Sequence, residues 1–212
     1  MNRYNHLKHF SNTLILLLTL CFCLNANATL LNSDFSSGFD NWLADVEYFD
    51  GTDDIVVNGN IFASYTDNFS SSLGSATLTT AVDSNTGTDA WAIAMYQDFV
   101  LDTIMLGNSL WLDLDVLISL THLDDFAFAQ LHDYISGNTI DLTSGGPFDV
   151  TAWAGNNVAL EFGVADADYN LGDTLTVSNI SFTEVAAPNP VPAPPTLLLL
   201  GLGLILLKRT RA

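Results

Sequence analysis

Between Leu110 and Ile118 the chain alternates with a period of two: Leu110, Leu112, Leu114, Val116 and Ile118 are separated by Trp111, Asp113, Asp115 and Leu117. A strand sends successive side chains to opposite faces, so the aliphatic set predicts one buried face and the intervening set one outward face. Val158, Leu160, Phe162 and Val164 alternate in the same way with Ala159, Glu161, Gly163 and Ala165. Further strands are expected at Ile55–Val57, Asn60–Tyr65, Ala76–Val82, Ala90–Leu101, Phe126–His132 and Thr174–Phe182. Within the last of these the apolar parity switches from Leu175 and Val177 to Ile180 and Phe182, which places a bulge near Ser178-Asn179. Gly, Asn, Asp and Ser clusters punctuate the runs, and no helical period of 3.6 competes with them. About nine short strands in one domain predict an all-β antiparallel β-sandwich, of which the jelly roll is a common form.

The two ends follow a different pattern. Met1–Ala28 has Arg3 and Lys8, an apolar run Leu14–Leu24, and Ala26-Asn27-Ala28 as a small-residue cleavage site, the layout of a secretory signal peptide. Cleavage after Ala28 removes Cys21 and Cys23 and leaves a mature chain without cysteine, so thiol catalysis and cysteine–zinc sites are excluded. At the other end Ala186–Pro195 is proline-rich, Leu197–Leu207 is unbroken apolar chain, and Lys208, Arg209 and Arg211 close it. Eleven apolar residues make about 17 Å of helix, a short membrane span whose basic end stays on the cytoplasmic side. The expected organisation is a signal peptide over 1–28, a sandwich domain over 29–185, a Pro-rich linker over 186–195, and a short transmembrane helix with basic tail over 196–212.

Charge sharpens this division. All five Lys and Arg of the chain lie in the two end segments, and all 24 acidic residues lie between Asp34 and Glu184. The body therefore holds no Lys or Arg to neutralise a carboxylate, repels phosphate polyanions and excludes nucleic acid as a partner. Divalent cations are the natural relief for such self-repulsion, which makes a structural Ca2+ the candidate cofactor.

Two constellations carry candidate chemistry. Asp166, Asp168 and Asn170 offer oxygen ligands at alternate positions, like the start of a calcium loop. Leu171 and Val177 stand where an EF-hand needs Gly and Glu, so a looser site is expected, completed by Asp173 or by Asp124-Asp125 from another loop. Trp111, Asp113 and Asp115 share one strand face, where a ring can stack on a sugar and the carboxylates can accept from its hydroxyls. Catalysis is not expected: only three glutamates occur, and there is no Gly-x-Ser-x-Gly elbow. His122 and His132 likewise lack a metal-binding spacing.

Val191, Pro192 and Pro194, followed by the Leu/Gly helix with Gly201 and Gly203 and the basic end, resemble the PEP-CTERM sorting signal of Gram-negative, exopolysaccharide-producing bacteria. Ala193 stands where that motif carries glutamate. The resemblance implies processing by an exosortase at the inner membrane, then delivery to the cell surface or matrix in association with exopolysaccharide or biofilm. A second resemblance runs through the body. Leu31–Trp42 resembles the opening strand of carbohydrate-binding-module jelly rolls of the galactose-binding-like type. Phe148–Phe162 and Val177–Phe182 resemble their later strands. It implies a non-catalytic lectin-like module, calcium-dependent in one version. Ser36 and Ser178 replace the acids of the calcium site usual in such modules. The rival reading is a purely structural coat or adhesion protein, and a glycan-active enzyme is the remaining alternative.

Overall fold

The computed structural model describes residues 30–187. The cleavage site at Ala26 and Ala28, the sorting motif at Val191, Pro192 and Pro194, and the apolar tail lie outside the described residues. Among the described residues no helix is long and apolar enough to cross a membrane.

The strands are β1 (Leu43–Phe49), β2 (Asp54–Gly59), β3 (Phe69–Ser72), β4 (Ser75–Thr79), β5 (Ala81–Val82) and β6 (Asp89–Val100) in the first half. The second half supplies β7 (Ser109–Ser119), β8 (Phe126–Asp133), β9 (Thr139–Asp141), β10 (Gly146–Asp149), β11 (Asn157–Ala165) and β12 (Thr174–Val185). They form two antiparallel sheets. One has the order β2-β1-β6-β11-β8-β9, with β5 added beside β6, and the other the order β10-β7-β12-β4-β3. The chain crosses between them repeatedly, with β1, β6, β8 and β11 in the first sheet and β4, β7, β10 and β12 in the second. This is the expected all-β antiparallel sandwich, with the sheet-to-sheet alternation of a jelly roll.

The core follows from the alternation. Leu110, Leu112 and Leu114 of β7 and Val158, Leu160 and Phe162 of β11 are buried in one cluster with Ile93 and Met95 of β6 and Leu175 and Val177 of β12. Burying each such side chain contributes about 1.5–3 kcal/mol. In β12 the pairing with β7 shifts between Ser178 and Ser181, and Asn179 takes a φ of 57°. The bulge expected from the parity switch is there, and it lets Ile180 return to the interior.

Three stretches depart from the strand pattern. Leu31–Trp42, which resembles an opening strand, is a run of turns. The Asn32 side-chain amide donates to the carbonyls of Gly38 and Asp40, holding the coil closed. Its aromatics plug one part of the core: Trp42 stacks on Phe35 at 5.4 Å and lies 6.0 Å from Phe162. Asn60–Tyr65 is likewise a loop, because Phe62 and Tyr65 turn inward without strand partners, Phe62 stacking on Phe39 at 4.3 Å. Ala76–Val82 splits at Thr80, β4 staying in one sheet and β5 joining the other. The buried Thr80 hydroxyl accepts the N–H groups of Gly172 and Asp173, which satisfies the polar pivot.

Candidate cation site and ligand faces

At one end of the sandwich, the loop before β8 meets the loop joining β11 to β12. There Asp125, Asp166 and Asp173, all buried, bring one carboxylate oxygen each within 4.8 Å of one another. A Ca2+ ion with oxygens at about 2.3–2.6 Å spans that separation. Most of the lone pairs are already used. Asp125 accepts from the amides of Ala167 and His122 and from the Thr121 hydroxyl. Asp173 accepts from the Thr121 amide and the Thr80 hydroxyl. Asp166 Oδ1 accepts from the amides of Asp168 and Tyr169, while its Oδ2 is buried with no partner. Burial first, then the charges of Asp173 and Asp125, push the Asp166 carboxyl above the usual range against the pull of those two amides. Hydrogen bonds, led by the Ala167 amide, hold Asp125 below it. The donor set is oxygen only, which suits Ca2+ or Mg2+ and not the softer transition metals.

Of the expected calcium ligands, the structure brings Asp166 into this cluster; Asp168 is not among its carboxylates, and Asn170 is exposed. Asp168 lies 3.9 Å from His122 Nδ1 and uses Oδ1 on the Asn170 amide. Asn170 contributes its carbonyl to the Thr121 hydroxyl. Asp173 and Asp125, named from the sequence as completing groups, supply the other two carboxylates. Loop path decides this: Asp168 and Asn170 continue outward around Tyr169, whose φ of 63° reverses the chain. A bulky residue in that left-handed region costs about 1–2 kcal/mol.

Trp111, Asp113 and Asp115 share the outer face of β7, as alternation predicts. Trp111 is half-buried and its Nε1 donates to the Ser109 hydroxyl. Asp113 sits between Pro147 of β10 and Ser181 of β12. Asp115 Oδ2 accepts from the Asn179 side-chain Nδ2 at the bulge. Around them the face is rich in hydroxyls, with Thr77 and Thr176 hydrogen-bonded across strands at 2.8 Å.

The sequence pattern did not single out the outer face of the other sheet. Register sets two rows across it, Glu47–Ala92–Ala165–Phe126 and Asp45–Ala94–Gly163–Phe128. The middle residues are small, so the rows frame a hollow of about 190 Å3 with Asp45, Glu47 and Val56 on one side and Phe126 and Phe128 on the other. Phe128 lies over Gly163, where any Cβ would collide with its ring. Asp45 Oδ1 is buried without a partner, and burial, then the charge of Glu161, raises its pKa. Glu47 is raised as well, by burial and then by Asp54. In the next row, Tyr96–Glu161–Gln130, the Gln130 side chain donates to Glu161. The available signal was small apolar residues at positions that should be polar if the face were simply wet.

No family model matches the chain, and no curated protein matches it. Among solved structures it is similar to the carbohydrate-binding module TmCBM61, determined in complex with β-1,4-galactotriose. Sequence identity is 13% and the TM-score 0.40, over 74% of this chain and 99% of that one.

Proposed function

We propose that this chain is an exported, non-catalytic cell-surface or matrix protein that binds polysaccharide through the outer face of its seven-stranded sheet. The observation that carries the reading is the hollow between Asp45 and Phe128. The half-buried Asp45 carboxylate, one oxygen of which has no donor, lies across a floor of Ala and Gly from the phenyl wall. A sugar ring supplies what is missing on both sides, hydroxyl donors for the carboxylates and an apolar C–H face for the phenyl rings. The absence of Lys and Arg from Leu30 to Ala187 selects neutral glycans over anionic ones. Glycoside hydrolysis needs carboxyl groups flanking the scissile bond. Here Asp45 and Glu47 share one wall and the opposite wall is phenyl, which supports binding without turnover. In the same reading Ca2+ occupies the Asp125–Asp166–Asp173 cluster and fixes the two loops. Delivery rests on the ends of the sequence: export by the signal peptide, then exosortase processing at Val191-Pro192-Ala193-Pro194 in the inner membrane, with association with exopolysaccharide or biofilm afterwards.

The test uses the full chain in detergent, passed over immobilised neutral polysaccharides (a galactan, a β-glucan and a mannan) in calcium. Asp45→Asn and Phe128→Ala are expected to abolish retention, and Trp111→Ala and Asp113→Asn to preserve it. The reverse result moves the ligand to the β7 face. No retention of the unaltered protein leaves a structural coat or adhesion protein as the better account. For sorting, deletion of Val191–Pro194 is expected to leave full-length, membrane-retained protein; normal release of the deleted form would remove the exosortase from the scheme.

A further inference from the structure

The buried cation cluster and the hollow are joined through adjacent residues. Ala165, in the floor of the hollow, is followed directly by Asp166, whose amide donates to the Trp91 carbonyl at 2.8 Å. Trp91 precedes Ala92 of the floor, and Phe49 lies two residues beyond Glu47 on the same face of β1. Phe49, Trp91, Tyr169, Leu171 and Asp89 line a second hollow of about 220 Å3 at this end. Three aromatic rings and one carboxylate line it, and the described residues contain no Lys or Arg. Tyr169 is the most exposed of the rings, 85% accessible against 52% for Phe49, and its backbone N–H donates to Asp166. The two amides that Asp166 Oδ1 receives, from Asp168 and Tyr169, lie within the left-handed turn that carries the Tyr169 ring to the rim of this hollow. The other oxygen of the same carboxylate, Oδ2, is buried, unpartnered and in the company of Asp125 and Asp173.

We propose that Ca2+ bound by Asp125, Asp166 and Asp173 holds Tyr169 at the rim of the hollow it lines with Trp91 and Phe49, so that the aromatic hollow becomes a calcium-gated end subsite for a neutral sugar ring. The inference rests on the polysaccharide-binding reading above and adds its regulation. An ion on Oδ2 pins the Asp166 carboxylate from one side while the loop amides hang on the other. Without it, three carboxylates close together repel, the Asp166 side chain is pushed from its position, and the strained turn at Tyr169 loses its anchor. A glycan chain lying along the strands would place one ring between Asp45 and Phe128 and the next on the Tyr169 side. Gating then acts on the second ring and not on the first.

Terbium serves as the luminescent stand-in for calcium, because Trp91 and Tyr169 border the cluster and can sensitise its emission. On the full chain we expect sensitised Tb3+ emission that Ca2+ displaces and Asp166→Asn removes. Retention on the neutral polysaccharides should weaken about tenfold in chelator, the loss of one aromatic stacking contact. Tyr169→Gly, which removes the ring and suits the turn, should keep calcium binding by calorimetry. It should weaken retention by a similar factor and make the remainder indifferent to chelator. Calcium binding with retention unaffected by either chelator or Tyr169→Gly would overturn the gate and leave the polysaccharide reading standing. Absence of Tb3+ and Ca2+ binding would overturn the gate and the calcium assignment together. Failure of the unaltered protein to be retained in calcium would overturn the gate along with the binding function.

Discussion

Calcium should change the stability of this protein by an amount that one substitution reverses. With the cluster empty at neutral pH, Asp166 is 4% exposed and faces Asp173 within 4.8 Å. Two unit charges at that separation repel by about 3.5 kcal/mol at an effective dielectric constant of about 20. Calcium at a hundredfold excess over its dissociation constant stabilises the folded state by about 2.7 kcal/mol. At about 2–4 °C per kcal/mol for a chain of this size, the melting temperature rises by about 5–11 °C. Asp166→Asn keeps an oxygen for the Asp168 and Tyr169 amides but removes the charge. It should therefore melt above the unaltered protein in chelator and below it in calcium. Differential scanning calorimetry of both proteins in both buffers reads this crossing directly. A variant that keeps the full calcium gain, or an unaltered protein that gains nothing, would refute the assignment of Asp166 Oδ2 to the ion.

Other expectations follow from single contacts. Trp42, 1% exposed between Phe35 and Phe162, should cost about 3–5 kcal/mol when replaced by Ala, measured as a lower urea midpoint with an unchanged slope. Gly163→Ala meets the Phe128 ring and has no backbone strain to relieve, so a loss of about 1–3 kcal/mol from overpacking should accompany weaker polysaccharide retention; an unchanged protein would mean that the ring does not rest there. Asp133 is held below its ordinary carboxylate value by the Ser136 hydroxyl first, then by the Ile135 amide and the Asn156 side chain. A depressed folded value gives stability that is present above the reference value of 3.8 and lost as pH falls through the folded one. Asp133→Asn should accordingly lower the urea midpoint at pH 7, and the difference should shrink on acidification below 3.8.

The strands that alternate over a long run, β6, β7, β8, β11 and β12, were legible because each has one face in the core, and even the β12 bulge announced itself as a change of parity. β1 was harder to read. Its inward residues are Ala44, Val46 and Tyr48, while Leu43 and Phe49 face out, so the contrast between faces is blurred. The apolar residues of 60–65 suggested a strand because sequence pattern does not distinguish a side chain that plugs the core from one that alternates along a sheet. For the cation cluster, the Asp166 loop was visible as a spacing of acids. Asp173 and Asp125 were visible only as alternative completing groups, since Asp125 comes from a loop about forty residues upstream, and nothing in the spacing showed that Asp168 turns away with Tyr169. The hollow on the seven-stranded sheet depends on four strands placed in register, and no single stretch of sequence contains it.

The partners already held by the three aspartates also set how tightly an ion can bind. Asp125 and Asp173 accept hydrogen bonds on both carboxylate oxygens, and only Asp166 keeps one oxygen wholly free. An ion entering the cluster must share those oxygens with N–H and O–H donors and fill the rest of its shell with water. Calcium sites with six to eight protein oxygens reach nanomolar to micromolar dissociation constants, whereas extracellular modules work at about 0.1–1 mM. This cluster belongs at the weak end of that scale. Weak affinity suits the proposed exported location, where ambient calcium can hold the site filled, and it makes the Tyr169 hollow sensitive to calcium over the range in which surroundings vary. Isothermal titration of the full chain should give a dissociation constant of about 0.1–1 mM. A micromolar value would require additional protein ligands and would refute a coordination shell built from these three carboxylates and water.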